Sequence, residues 1–237
     1  MLVKTEAIVL NAIKFQEKSL IVKCYTQSDG LKSYFVQNAF TGKNNKQKNA
    51  FFQPLNILEI EANHKNKNTL ERFKDIRLAH AYTDSQFDIK KTTIRFFLAD
   101  ILNVVLKEEN KDDDLYLFLK SAFIWLDAHE NCSNFHLYFL VQLSKYLGFY
   151  PDISSISEPF LNIQEGFFQA QQNLSCLSAE ATILFKKGLL LERENSEMQF
   201  SGNQRRALLE ILLKYYQLNW ADFKIPKSIE VLQEILM

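Results

Sequence analysis

The chain has 237 residues, and its 28 Lys/Arg and 28 Asp/Glu cancel to a formal net charge of +0. Taken alone, that total argues against a strongly basic nucleic-acid binder or an acidic tail protein, and a hydrophobic fraction of 47% excludes wholesale disorder. The charges are unevenly placed: residues 1–80 hold 13 Lys/Arg against 7 Asp/Glu (+6), and the rest hold 15 against 21 (−6). A basic front and an acidic back point to a polyanion partner for the first part of the chain. With only 6 Gly and 4 Pro, the chain favours long helices over a many-turned all-β fold. Cys24, Cys132 and Cys176 are widely spaced and odd in number, which suits unpaired thiols in a reducing cytoplasm. The first residues lack the pattern of a secretory leader, and no apolar run reaches the about 18 residues of a membrane span, so no membrane association is expected.

The front of the chain reads as β. A first strand is expected around Thr5–Leu10. Leu20, Val22 and Cys24 share one face of a second, Asp29-Gly30 supplies a turn, and Leu31–Val36 resumes extended character, together a hairpin. Leu58, Ile60 and Ala62 alternate with Glu59 and Glu61, a strand wet on one side. Residues 69–78 suggest a fifth strand, although Leu70, Phe73 and Ile76 do not alternate cleanly. Five short strands can close into a small barrel, which removes exposed edges. Residues 41–49, without an apolar side chain, read as a surface loop.

From about residue 90 the period becomes helical. Ile94, Phe97, Leu98, Ile101, Leu102 and Val105 form one stripe, and Leu115, Phe118, Leu119, Ala122, Phe123 and Leu126 form another that opens at Asp112-Asp113-Asp114. Asn134 is placed as the cap of a third helix running to Gly148. Ser178 opens a fourth. Leu209, Leu212, Leu213, Tyr216 and Trp220 mark a fifth, and Ile229–Leu236 a short last one. Residues 151–177 read as irregular. The expected fold is α+β in two domains: a five-stranded barrel over 1–80 and an all-α helical domain over 81–237.

No motif assembles a nucleophile, a base and an oxyanion donor, and the Walker, dinucleotide-binding and zinc-protease signatures are missing, so an enzyme is not expected. His129, Cys132 and His136 are plausible metal-ligand types, but their spacing straddles a helix junction without a second ligand pair; no metal is assigned to them. The basic front offers more. Lys43, Lys46 and Lys48 sit in the polar loop, Lys32 in the strand before it, and Arg72, Lys74 and Arg77 in the last strand. Tyr34, Phe35, Phe40, Phe51 and Phe52 are interleaved, as in barrels that track phosphates with cations and stack bases on aromatic rings; packing in the barrel core is the competing role for those rings. Arg205 and Arg206, at the start of the fifth helix where the dipole prefers acids, are a candidate anchor for a partner's carboxylates.

Lys4–Leu10, Glu17–Val22, Tyr25-Thr26, Gly30, Phe52-Gln53-Pro54-Leu55 and Leu58-Glu59 resemble the RecO family of bacterial recombination mediators, as do Asn134–Leu137 and Leu147-Gly148-Phe149-Tyr150-Pro151 further on. The resemblance implies an OB-fold front and a helical back. It also implies binding of single- and double-stranded DNA, strand annealing, and work with RecR. By the same resemblance the protein binds the C-terminal tail of single-stranded-DNA-binding protein and helps load the RecA recombinase, in a cytoplasmic, nucleoid-associated location. An OB-fold scaffold for RNA or protein is the alternative. Many relatives carry a four-cysteine zinc module where residues 151–177 hold only Cys176, so no structural zinc is expected, and Phe160, Leu161, Ile163, Phe167 and Phe168 are expected to pack an apolar satellite instead.

Overall fold

The computed structural model describes residues 1–40, 50–65, 69–82, 88–107, 111–193 and 200–236. They form two compact units, Met1–His129 and Glu130–Met237. The change from strand to helix falls near residue 80, but the first two helices belong to the same unit as the strands.

Five antiparallel strands lie in the order β3-β2-β1-β4-β5: β1 (Leu2–Phe15), β2 (Ser19–Thr26), β3 (Gly30–Val36), β4 (Ile57–Asn63) and β5 (Arg72–Leu78). A parallel bridge between Tyr34 and Glu71 joins the two outer strands, with Phe35 N–H donating to Glu71 O at 2.8 Å and Glu71 N–H to Ser33 O at 2.8 Å. The sheet thus closes into the OB barrel, leaving no long edge to aggregate. Leu20, Val22 and Cys24 point inward, as do Leu58, Ile60 and Ala62, so both strand alternations hold. Gly30 turns the β2–β3 hairpin at φ +63°, a left-handed value that costs glycine nothing.

Two features depart from the simple pattern. β1 runs for 14 residues, because it pairs with β4 through Leu2–Ile8 and with β2 through Ala7–Phe15, with a register shift between Val9 and Asn11. The imperfect alternation of β5 also has a cause: the β4–β5 register skips between Glu61 and Ala62, which pair with Asp75 and Phe73, so Lys74 is the extra residue of a bulge.

Helix α1 (Ile89–Val105) buries the stripe Ile94, Phe97, Leu98, Ile101, Leu102 and Val105, and Asp88 caps it by accepting from the N–H groups of Lys90 and Lys91. Helix α2 (Asp113–Ala128) opens on Asp112, which accepts from Leu115 N–H at 2.9 Å. Glu6 on β1 and Lys120 on α2 form an ion pair with contacts of 2.6 and 2.8 Å, and Tyr25 stacks on Tyr116, tying this helix to the barrel.

The second unit contains α3 (Phe135–Tyr146), α4 (Ala179–Leu189), α5 (Gly202–Asn219) and α6 (Ser228–Leu236). Asn134 stands at the N-cap of α3, though its side chain makes no capping bond there. The segment expected to be irregular carries a short hairpin, β6 (Phe160–Asn162) with β7 (Phe167–Gln169). Leu161, Ile163 and Phe168 are buried in it, whereas Phe160 is half-buried and Phe167 exposed. Side-chain carboxylate and amide oxygens fix its turns: Asp152 accepts from Ser154 N–H, Asn173 from Ser175 N–H, and Asn162 from the N–H groups of Gln164 and Glu165.

Candidate nucleic-acid interface

The interleaved aromatics divide into two sets. Tyr34 and Phe52 are core residues, and the ring of Tyr34 stacks on Phe73 at 4.0 Å. Phe35 and Phe51 are half-buried, and Phe40 is 39% exposed. Phe35 and Phe51, with the inner Phe52 and Phe73, line a groove of about 410 Å³ that also takes in Arg72, Lys74 and Asp75; Phe40 lies outside it. The Arg72 guanidinium lies 5.6 Å over the Phe35 ring, Phe15 meets Phe35 edge-on at 6.2 Å, and Lys14 lies 5.7 Å over Phe40. Aromatic faces and cations therefore alternate across the ends of β1 and β3 and the start of β5.

Lys14 and Phe15 were not singled out from the sequence. Their signal was the long β1, which carries both past the barrel wall to the tip of the β1–β2 hairpin, where Gln16 turns the chain at φ 56°.

The predicted cations meet different fates. Arg72, Lys74 and Arg77 are exposed on β5. Lys74 bonds Glu61 at 2.7 Å and Arg77 bonds Asp75 at 3.1 Å. The hydrogen bond from Lys74 holds the Glu61 carboxyl below its usual range. Lys32 is a correction: it is only 5% exposed and helps hold the nearby Asp29 carboxyl ionised, so its charge serves the barrel interior instead of a surface ligand. Its place in a strand facing inward explains this, since alternation along β3 buries Lys32 and Tyr34 together. Lys43, Lys46 and Lys48 lie outside the described residues.

Beneath the groove sits a buried polar relay. Tyr34 Oη is 2.8 Å from His64 Nε2, and His64 Nδ1 is 2.8 Å from Asp29 Oδ2, which also accepts from Ser28 Oγ at 2.6 Å. Burial pushes the Asp29 carboxyl up, but the hydrogen bonds from Ser28 and His64 outweigh it and the net shift is downward. The relay fixes Tyr34, and Tyr34 in turn backs Phe73 in the groove.

In the second unit, Arg205 is also a correction. Its guanidinium donates to Leu236 O at 2.9 and 3.1 Å and to Phe200 O at 2.6 Å, so it closes the carbonyl end of α6 and is not held out for a partner. Arg206 is exposed. Of the suggested metal-ligand types, His129 Nδ1 donates to Trp125 O at 2.8 Å while its ring stacks on Trp125; Cys132 and His136 are buried. Among the described residues, no group of three or more His, Cys, Asp or Glu could hold a metal ion. No helix among them is long and apolar enough to cross a membrane.

A five-stranded antiparallel sheet closed between its outer strands defines the OB-fold class. The comparisons identify the particular lineage. Residues 1–82 match the family model described as recombination protein O N terminal, and residues 86–228 match recombination protein O C terminal. Relatives named DNA repair protein RecO are 50% identical in Flavobacterium psychrophilum, 49% in Flavobacterium johnsoniae and 31% in Bacteroides fragilis, each alignment covering 99% of both chains. The chain belongs to the recombination protein O family. That membership places it in DNA repair and recombination, and neither the family description nor the relatives' names carry an enzymatic activity.

Proposed function

We propose that the barrel binds single- and double-stranded DNA and that the protein is a recombination mediator. In this reading it anneals complementary strands and, with RecR, helps load the RecA recombinase onto strands coated by single-stranded-DNA-binding protein. The observation that carries the DNA-binding step is the groove, where Phe35, Phe51 and Phe73 offer faces to bases and Arg72 and Lys74 offer charge to phosphates. Such a lining reads the polymer and not the sequence, because every base has a π-face and every nucleotide a phosphate.

Lys14 and Phe15 extend the expected set, and Arg77 stays within it on exposed β5. The helical second unit is the platform for RecR and for the tail of single-stranded-DNA-binding protein. Arg206 is the remaining candidate there, since Arg205 is spent on α6. A cytoplasmic, nucleoid-associated location follows from this role. The test is annealing of complementary oligonucleotides coated with the cognate single-stranded-DNA-binding protein, with RNA oligonucleotides as competitor. Acceleration by this protein supports the reading. No acceleration, or preferential inhibition by RNA, assigns the barrel to another polymer.

A further inference from the structure

The segment that supplies Phe51 and Phe52 to the barrel also lines a second cavity. Ala50, Gln53, Pro54, Asn56, Thr92, Arg95 and Phe96 enclose a pocket of about 260 Å³. Arg95 and Phe96 come from α1, and they behave oppositely. Arg95 is 8% exposed, and its Nη2 donates to Pro54 O at 2.8 Å and to Asn56 Oδ1 at 3.0 Å while the guanidinium lies 4.0 Å over the Tyr82 ring. Asn56 is fixed in turn by donating to the carbonyls of Ala50 and Phe51. The polar wall is therefore set before any ligand arrives, which lowers the ordering cost of binding.

Phe96 falls outside the buried stripe of α1 and is 48% exposed. A lone exposed Phe needs no explanation. This one stands at a pocket with a fixed guanidinium, and the pocket is continuous along the chain with the aromatic groove through residues 50–56. An open ring face beside a hydrogen-bonding, cationic wall has the chemistry that takes a nucleotide.

We propose that the strand held in the barrel groove continues over residues 50–56 onto α1, where one nucleotide stacks on Phe96 at the mouth of the Arg95 pocket. The proposal rests on the DNA-binding reading above and adds a site outside the barrel. Asp127 acts electrostatically on Arg95, so part of its charge is already answered within the fold. Stacking, and not phosphate neutralisation, is the main contribution at this site.

The experiment is a fluorescence titration of the full chain with an oligothymidylate length series at several salt concentrations. Phe96→Ala lowers affinity for long oligomers by about five- to tenfold, leaves the salt slope unchanged, and does not affect oligomers too short to leave the barrel. Phe96→Trp restores the affinity, which a merely structural role for the ring would not produce. If Phe96→Ala is silent at every length while Phe35→Ala weakens binding, the extension onto α1 is wrong and the barrel site stands. If the wild-type chain binds no oligothymidylate, the barrel reading itself fails and the extension goes with it. Displacement of an acidic peptide, but not of DNA, from the Phe96 pocket would give the pocket to a protein partner and overturn the proposal.

Discussion

Arg72 and Phe35 touch each other and do different things, which makes them a sharp test of the groove. Arg72 lies 5.6 Å over the Phe35 ring, and both line the same cavity. A cation that neutralises one phosphate of a single strand contributes about 0.7 to the slope of log affinity against log salt, which at about 0.15 M salt is roughly a fourfold effect on affinity. Arg72→Ala should therefore weaken single-strand binding about fourfold and flatten the slope by about 0.7. Phe35 carries no charge. It is half-buried, so only one face can meet a base, and the low end of the stacking range applies, about 1 kcal/mol or roughly fivefold. Phe35→Ala should lower affinity by that amount with an unchanged slope. Fluorescence titration from low to moderate salt separates the two signatures. A Phe35→Ala protein that changes the slope, or an Arg72→Ala protein that leaves it untouched, would refute the assignment of charge to one side chain and stacking to the other.

Stability offers further tests. His136 is fully buried, and desolvation, with the nearby Arg205 adding to it, lowers its pKa to about 3. The folded state thus binds fewer protons than the unfolded one below pH about 6.5, and stability should fall by up to roughly 1.4 kcal/mol per pH unit between about 6.5 and 3; His136→Leu should flatten that acid limb in urea titrations. Asp29 acts in the same direction, over a more acidic range. Its depressed carboxyl contributes above its ordinary value of 3.8 and loses that contribution as pH falls below it, so Asp29→Asn should be destabilising at pH 7 and nearly neutral at the acid end. Arg205→Ala removes the bonds to Leu236 and Phe200 and should cost about 1–3 kcal/mol, whereas Arg206→Ala should be within about 0.5 kcal/mol of wild type by thermal denaturation. Gly166 sits at φ +74° with Tyr215 Oη 2.7 Å from where a Cβ would be, so Gly166→Ala should destabilise the second unit by at least about 1 kcal/mol.

Strand and helix identities were legible because periodicity records which face is buried. The inward set Leu20, Val22 and Cys24 and the stripe Ile94 to Val105 show this directly. The resemblance carried the fold and family further than the patterns could. The site was only partly legible, because a one-dimensional reading counts cations without knowing which way they face. Lys32 lies among polar and aromatic neighbours much as Arg72 does, yet strand alternation sends one inside and the other out. Arg205 looked anomalous at a helix start, and its partner, the end of α6, lies 31 residues further along the chain. Long-range partners of this kind leave no local pattern. The same holds for the relay, in which His64, just after β4, meets Asp29 and Tyr34 of the β2–β3 hairpin some 30 to 35 residues earlier.

The surplus of +6 in residues 1–80 overstates what DNA would meet in the described part of the barrel. Lys32 is inside, Lys23 donates to Asn103 O, Lys74 is engaged by Glu61, and Arg77 by Asp75. Exposed pairs of this sort are worth little in water, about 0–1 kcal/mol, so a phosphate can compete for Lys74 and Arg77. Each such exchange returns a carboxylate to solvent, and its net electrostatic gain is smaller than that of Arg72, whose guanidinium already rests on an aromatic face. The groove should therefore show a modest salt slope with a strong dependence on its aromatic rings. In the proposed reading, charge brings the polymer to the barrel, and the rings decide how long a single strand stays.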